Sequence, residues 1–175
     1  MAAKKQGKTT GWAGYALSWA TRHFPNGEIN GGKPYYAKFD NRHKINIVVN
    51  HKFNRKVDVN ASWFLATGNW LTLPLEKYSS SSYPQYYYSE RNNYKMPPYH
   101  RLDLSVNFTK QKKKGTRIWN VSIYNSYFQK NAFVVQPRQR DYWSNGIDGN
   151  FVKTESEYRK ITIFPIIPSV SYTYK

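Results

Sequence analysis

Acid–base or metal chemistry in this chain would have to come from ten carboxylates and four histidines. The carboxylates are Glu28, Asp40, Asp58, Glu76, Glu90, Asp103, Asp141, Asp148, Glu155 and Glu157. They are scattered, with no paired spacing of the kind that general acid–base work needs. His23, His43, His51 and His100 show no metal-ligand spacing. Cysteine is absent, which removes disulfides and thiolate zinc sites. No P-loop, dinucleotide fingerprint or nucleophile elbow occurs, and Gly31-Gly32 and Asn145-Gly146 read as turns. The sequence therefore argues against an enzyme and implies neither cofactor nor metal. What remains is aromatic: 16 Tyr, 9 Phe and 6 Trp. Tyr83, Tyr86, Tyr87, Tyr88, Tyr142 and Trp143 concentrate in connecting segments and are the candidate ligand contacts. The alternative is that they pack loop on loop.

The elements that would position them are strands with period-two alternation. Leu102, Leu104, Val106 and Phe108 oppose Asp103, Ser105, Asn107 and Thr109. Ile45, Ile47, Val49 and Phe53 oppose Asn46, Asn50 and Lys52, with His51 an exception on the apolar side. Alternate side chains point to opposite faces, so each strand has a dry and a wet face. Six strands are predicted: 11–20, 44–53, 57–73, 102–110, 118–128 and 161–174. Their connections alternate between long (21–42, 74–100, 131–160) and tight (Asn54-Arg55-Lys56; Lys112-Lys113-Lys114-Gly115). That parity predicts an antiparallel up-and-down β-meander, both tight turns at one end. Outer-membrane barrels combine short turns on one side with long loops on the other. A soluble antiparallel sheet with one face on a core would alternate in the same way.

The chain has 175 residues, of which 39% are hydrophobic, with a mean hydropathy of −0.80. No apolar run approaches the roughly 18 residues of a transmembrane helix, which says nothing against spanning strands. Met1-Ala2-Ala3-Lys4-Lys5 leads into polar sequence rather than an apolar signal core. For an outer-membrane chain this implies that the natural N-terminus is missing. The net charge of +17 first suggests nucleic acid. The cations, however, gather at the tight turns and chain ends (Lys52, Arg55, Lys56, Lys112, Lys113, Lys114, Lys175) or in the long loops. None falls mid-way along an apolar strand face, where a bilayer would penalise it by roughly 2–4 kcal/mol. A soluble basic β-sheet protein that binds nucleic acid through its turns and aromatics is the alternative reading.

Five segments carry a more specific resemblance. GWAGYALSWATRHF with INGGKPYYAKFDNRHKINIVVNHKF, VDVNASWFLATGNWLTLP, YKMPPYHRLDLSVNFTK, GTRIWNVSIYNSYFQKNAF and FPIIPSVSYTYK resemble, in order, the late barrel of TonB-dependent outer-membrane receptors. The resemblance implies an all-β fold: an open fragment, about six long strands, of a 22-stranded transmembrane β-barrel whose plug domain is absent. Residues 1–10 would be a disordered or fragment-boundary segment, and 11–175 the C-terminal part of the barrel domain. It implies a multi-pass protein of the Gram-negative outer membrane that serves energised nutrient uptake. The implied partners are outer-membrane lipid, the remainder of the barrel with its plug, a nutrient of unknown kind, and TonB through a missing N-terminal part. No nucleic acid is expected, and the fragment alone would not transport. The loop aromatics would stack on a sugar or clamp a siderophore.

Overall fold

The structure, a computed structural model, describes residues 1–79, 84–146 and 149–175. In chain order the strands are β1 (Ala2–Lys4), β2 (Thr9–Leu17), β3 (Thr21–Arg22), β4 (Tyr35–Tyr36), β5 (His43–Lys52), β6 (Val57–Ala66), β7 (Trp70–Leu71), β8 (Glu76–Ser79), β9 (Pro84–Tyr87), β10 (Tyr94–Lys95), β11 (Tyr99–Lys112), β12 (Gly115–Tyr124), β13 (Val134–Gly146), β14 (Gly149–Ile161) and β15 (Ile167–Tyr174). The one helical element among the described residues is a 3-10 turn at Asn30–Gly32. The protein is all-β.

Seven strands form one sheet in the order β1-β2-β5-β6-β11-β12-β15, every neighbouring pair antiparallel. The six long strands follow one another in sequence, which is the predicted meander. Its first and last strands do not pair, so the sheet is open. The two tight turns share one end. Thr109 N–H donates to Lys56 C=O at 2.7 Å, so the first turn lies beside the end of β11 that leads into the second. Lys52 N–H to Lys8 C=O (2.8 Å) and Thr116 N–H to Lys175 C=O (2.7 Å) bring the connection between β1 and β2 and the C-terminal residue to that end. Asn54 Oδ1 closes the first turn by accepting from Lys56 N–H (2.7 Å) and Val57 N–H (2.9 Å), an Asx turn.

Element boundaries differ from expectation for local reasons. Residues 1–10 include a short edge strand, with Ala2 opposite Ala13. The strand expected over 57–73 stops at Ala66, because Gly68 passes so close to the Met96 carbonyl that a Cβ there would overlap it. Beyond that crossing Trp70 pairs with Lys95 instead of continuing along β11. The strand expected over 118–128 ends at Tyr124, where Asn125 turns the chain at φ 54°. The strand expected from 161 begins at Ile167, after Pro165 has removed a ladder donor. The long connections also carry hairpins of their own: β13 with β14 within 131–160, and β8 with β9 within 74–100.

Register across the sheet sorts the side chains into two faces. One carries Ile47, Val49, Val59, Ala61, Trp63, Leu104, Val106, Phe108, Trp119, Val121, Ile123, Val170 and Tyr172 in aligned rows. None of these is buried: Leu104 is 37% exposed, Val121 42% and Val170 65%. The opposite face carries Asn50, Asp58, Asn60, Asp103, Ser105, Asn107, Asn120, Ser122 and Ser169. The buried side chains among the described residues are Tyr35, Asp40, Ala66, Leu73, Asn125 and Val135, all toward the end opposite the tight turns. The sheet has no core of its own.

Candidate functional site

The polar face carries a hydrogen-bonded ladder of side chains from β5 to β12 and a separate serine pair between β12 and β15. Asn50 Nδ2 donates to Asn60 Oδ1, and Asp58 accepts from Asn60 (3.3 Å) and Asn107 (2.8 Å), while Asn120 donates to Asn107 (2.6 Å). Ser122 and Ser169 join β12 to the last strand at 2.6 Å. Such a ladder satisfies amide groups that would otherwise need water, and cross-strand polar pairs also fix register.

Toward the loops the ladder ends in a charged knot on β11 and β12. Arg101 Nε donates to Asp103 at 3.0 Å, and its Nη1 to the hydroxyls of Tyr99 (2.9 Å) and Tyr124 (2.8 Å). The guanidinium also lies 4.4 Å from the Tyr124 ring centroid, a cation–π contact. Arg101 and Tyr99, with Phe64, Asn69, Met96 and Phe133, line a cavity of about 420 Å³ at the head of this face. That volume falls within the roughly 300–1,000 Å³ of small-molecule sites, and the lining mixes apolar walls with a few fixed polar groups.

Above it the loops are held by alternating rings and cations. Trp19, Arg42, Tyr36, Trp70 and Lys95 follow one another: Arg42 lies 5.6 Å from the Trp19 ring and 5.4 Å from Tyr36, Tyr36 stacks on Trp70 at 4.5 Å, and Lys95 sits 5.4 Å from Trp70. These residues come from both of the first two long connections. Asparagine side chains join the same segments as surrogate backbone. Asn93 accepts from Leu73 N–H and donates to Leu73 C=O, both at 2.9 Å. Asn131 does the same at His100, at 3.0 and 2.9 Å. Asn92, at φ 54°, donates to Tyr36 C=O at 2.6 Å. Asp40 is buried, accepts from Ala20 N–H at 2.8 Å and stands 3.7 Å from the Arg42 guanidinium.

Of the six residues expected to contact ligand, the side chains of Tyr86, Tyr87 and Tyr88 are described. Tyr83 lies outside the described residues, as do the side chains of Tyr142 and Trp143, whose backbone runs in β13. Tyr86 and Tyr87 are exposed on β9, opposite Lys77 and Glu76. Tyr88 lines a separate cavity of about 570 Å³ with Glu28, Asn30, Glu90 and Arg91. The aromatic residues that are organised, Tyr36, Trp70, Tyr99 and Tyr124, escaped the sequence reading. Arg101 lies two residues from Tyr99, but the cations facing Trp70 and Tyr124, Lys95 and Arg101, are 25 and 23 residues away, so only the fold brings these partners into contact. Among the described residues no three metal-ligating side chains converge. Compared with family models, curated proteins and solved structures, the chain gives no match.

Proposed function

We propose that the chain is a sector of a transmembrane β-barrel, the C-terminal part of a TonB-dependent receptor that takes up a nutrient across the outer membrane of a Gram-negative cell. The observation that carries this reading is the uncovered apolar face. Leu104, Phe108, Trp119, Val121, Ile123, Val170 and Tyr172 are more than a third exposed, where a soluble sheet would place them against a core. The band has aromatic and imidazole margins. Phe53, Phe108, Trp119, Tyr172 and Tyr174 border it on the tight-turn side, and Tyr15–His43 and His100–Tyr127, each hydrogen-bonded at 2.8 Å, on the loop side. From Phe108 to His100 the chain rises roughly 26 Å along the strand, on the order of 20 Å after the tilt of a barrel strand. That approaches the ≈ 25 Å apolar band flanked by aromatic girdles in outer-membrane barrels. Strand lengths of 9, 10, 10, 14, 10 and 8 residues suit a crossing of about 9–11.

The open edges supply the rest of the argument. Unpaired strand edges do not persist in hydrocarbon, so both ends of the sheet would pair with the remainder of a barrel. The polar ladder would then face the lumen, and the cavity beside Arg101 would lie where lumen meets outer loops. On this reading the sector alone does not transport; the plug and the TonB contact belong to other parts of the receptor.

Brominated-lipid quenching tests the assignment of faces. Single-tryptophan variants retaining Trp119, on the apolar face, or Trp12, on the polar face, are refolded into phosphatidylcholine vesicles. Strong quenching at Trp119 with little at Trp12 is the expected result. Equal quenching, or none at Trp119, would remove the lipid-facing assignment. Coding sequence upstream of Met1 separates this receptor from other barrels, since a receptor requires a plug in the same reading frame.

A further inference from the structure

A second cavity, of about 370 Å³, lies among the loops and has a different chemistry from the one beside Arg101. Three cations line it, Arg22, Lys38 and Arg91, together with Trp70, Thr72 and Asn92. No carboxylate does. Of the nearby acids, Glu90 pairs with Lys33 at 3.8 Å, Asp40 stands beside Arg42 at 3.7 Å, and Glu28 lines the adjoining cavity that shares Arg91. Among the described residues none of the three cations has an ion pair. Like charges gathered in one concave site repel each other and focus a positive potential into it, and a bound anion relieves both effects.

The cations are positioned by fixed backbone. Arg22 is on β3, opposite Tyr35, whose buried ring stacks on Phe24 at 6.3 Å. Lys38 C=O accepts from Trp70 N–H at 3.0 Å, which ties the first connection to the second. Arg91 N–H donates to Asn30 Oδ1 at 2.8 Å, and Asn92 N–H to Thr72 Oγ1 at 2.9 Å. The indole Nε1–H of Trp70, a wall of the same cavity, is buried without an acceptor. A buried donor without a partner is costly.

We infer that this cavity binds a small oxyanion-bearing ligand, its carboxylate or phosphate held by Arg22, Lys38 and Arg91. The inference rests on the cavity alone and is independent of whether the sheet faces lipid. The same oxyanion chemistry would be offered by a free solute or by the headgroup of an anionic lipid.

The test uses the whole chain in neutral detergent micelles, with citrate and inorganic phosphate as probes, glucose as the uncharged control, and tryptophan fluorescence and calorimetry as readouts. Saturable binding of citrate, weaker binding of phosphate and none of glucose are expected. Lys38→Gln and Arg91→Gln should each weaken citrate at least about tenfold, the loss of one charge-assisted contact, with the β-sheet circular dichroism unchanged. Lys113→Gln, at the tight-turn end, removes the same charge and should leave affinity unaltered. If citrate fails to bind but vesicles containing phosphatidylglycerol bind in a manner lost in Lys38→Gln and Arg91→Gln, the oxyanion is a lipid headgroup and the site stands. The inference is overturned if neither probe nor vesicle responds to those two substitutions, or if Lys113→Gln weakens binding as much as they do.

Discussion

The sheet and the loop end of this molecule are stabilised in opposite ways. Along the long strands no side chain of the apolar rows is buried, and the polar rows are linked through asparagine amides and the Asp58 carboxylate. At the loop end lie Tyr35, Asp40, Leu73, Asn125 and Val135, all buried, within a mesh of asparagine bridges and ring–cation stacks. A domain that folds in water places its largest apolar area in its interior. Here the interior belongs to the loops, and the sheet leaves its apolar area for something else to cover. The sheet should therefore depend on its surroundings, and the loop end on its own contacts.

The largest expected effect tests that dependence on the sheet. Val121 lies in the middle of the apolar band, opposite Val106 and Val170. In phospholipid vesicles Val121→Arg should destabilise the inserted state by roughly 2–4 kcal/mol, as for a midplane arginine. Trp119→Arg, at the tight-turn margin beside Tyr172, should cost on the order of 1 kcal/mol from charge, plus lost ring packing. Ser122→Arg, on the polar face, should cost less than Val121→Arg. Denaturant titration of the vesicle-bound variants reads all three. A penalty that is flat along the face, or larger at Ser122 than at Val121, would remove the lipid-facing assignment of the apolar rows.

At the loop end the strongest single lever is Asn125, which is 0% exposed. Its Nδ2 donates to Gln129 C=O (2.8 Å) and to Pro165 C=O, its Oδ1 accepts from Gln129 N–H (3.1 Å), and its own N–H reaches Asp103 (2.9 Å). Asn125→Ala should cost about 2 kcal/mol, because it strands buried backbone groups rather than removing packing. Hydrogen exchange should quicken at Gln129 and leave the β5–β6 ladder protected. If protection falls equally across both, the two ends are one cooperative unit and the comparison fails.

The legibility of the sequence follows the same division. Strand order, the shared end of the tight turns and the two faces were readable because period-two alternation is a local signal, clear in Leu102 to Thr109. The β13–β14 hairpin was not, since Gln136-Pro137-Arg138-Gln139-Arg140 has no apolar alternation and Pro137 argues against a strand. Local density of aromatic residues points to Tyr86, Tyr87 and Tyr88. The structure organises Tyr36 and Trp70, which are 34 residues apart and meet where Trp70 N–H donates to Lys38 C=O. Asn92, Asn93 and Asn131 read as turn formers, and nothing local foretells which backbone they will bridge.

A smaller effect sharpens the account of the stack. Lys95 lies above Trp70, and Met96 N–H donates to Asn69 C=O at 2.8 Å in the same crossing. Lys95→Gln removes the cation but keeps most of the stem, so the loss should be about 0.5–1 kcal/mol, the worth of an exposed cation–π contact. Faster exchange at Met96 with unchanged rates in β12 is the expected signature. Equal change in β12 would mean that the stack supports the sheet as well as the loops.

The smallest effect is expected where the sequence pointed first. Tyr86 and Tyr87 are about half exposed on β9 and line none of the cavities described above. Surface substitutions away from caps, packing and networks usually change stability by less than about 0.5 kcal/mol. Tyr86→Ser and Tyr87→Ser should therefore fall inside that window and leave citrate binding at the Arg22, Lys38 and Arg91 cavity unaltered. Tyr88 differs, because its ring stands in the wall of the neighbouring cavity that also holds Glu28 and Glu90. That lining carries two acids and one arginine, a lining suited to neutral or cationic groups rather than oxyanions. Tyr88→Ser should thus leave citrate affinity unchanged while altering the response to an uncharged oligosaccharide such as maltotriose, if that wall contacts ligand. A loss of citrate binding on replacing Tyr86 or Tyr87 would return the ligand contact to the exposed hairpin and undo the distinction between organised and merely abundant aromatics.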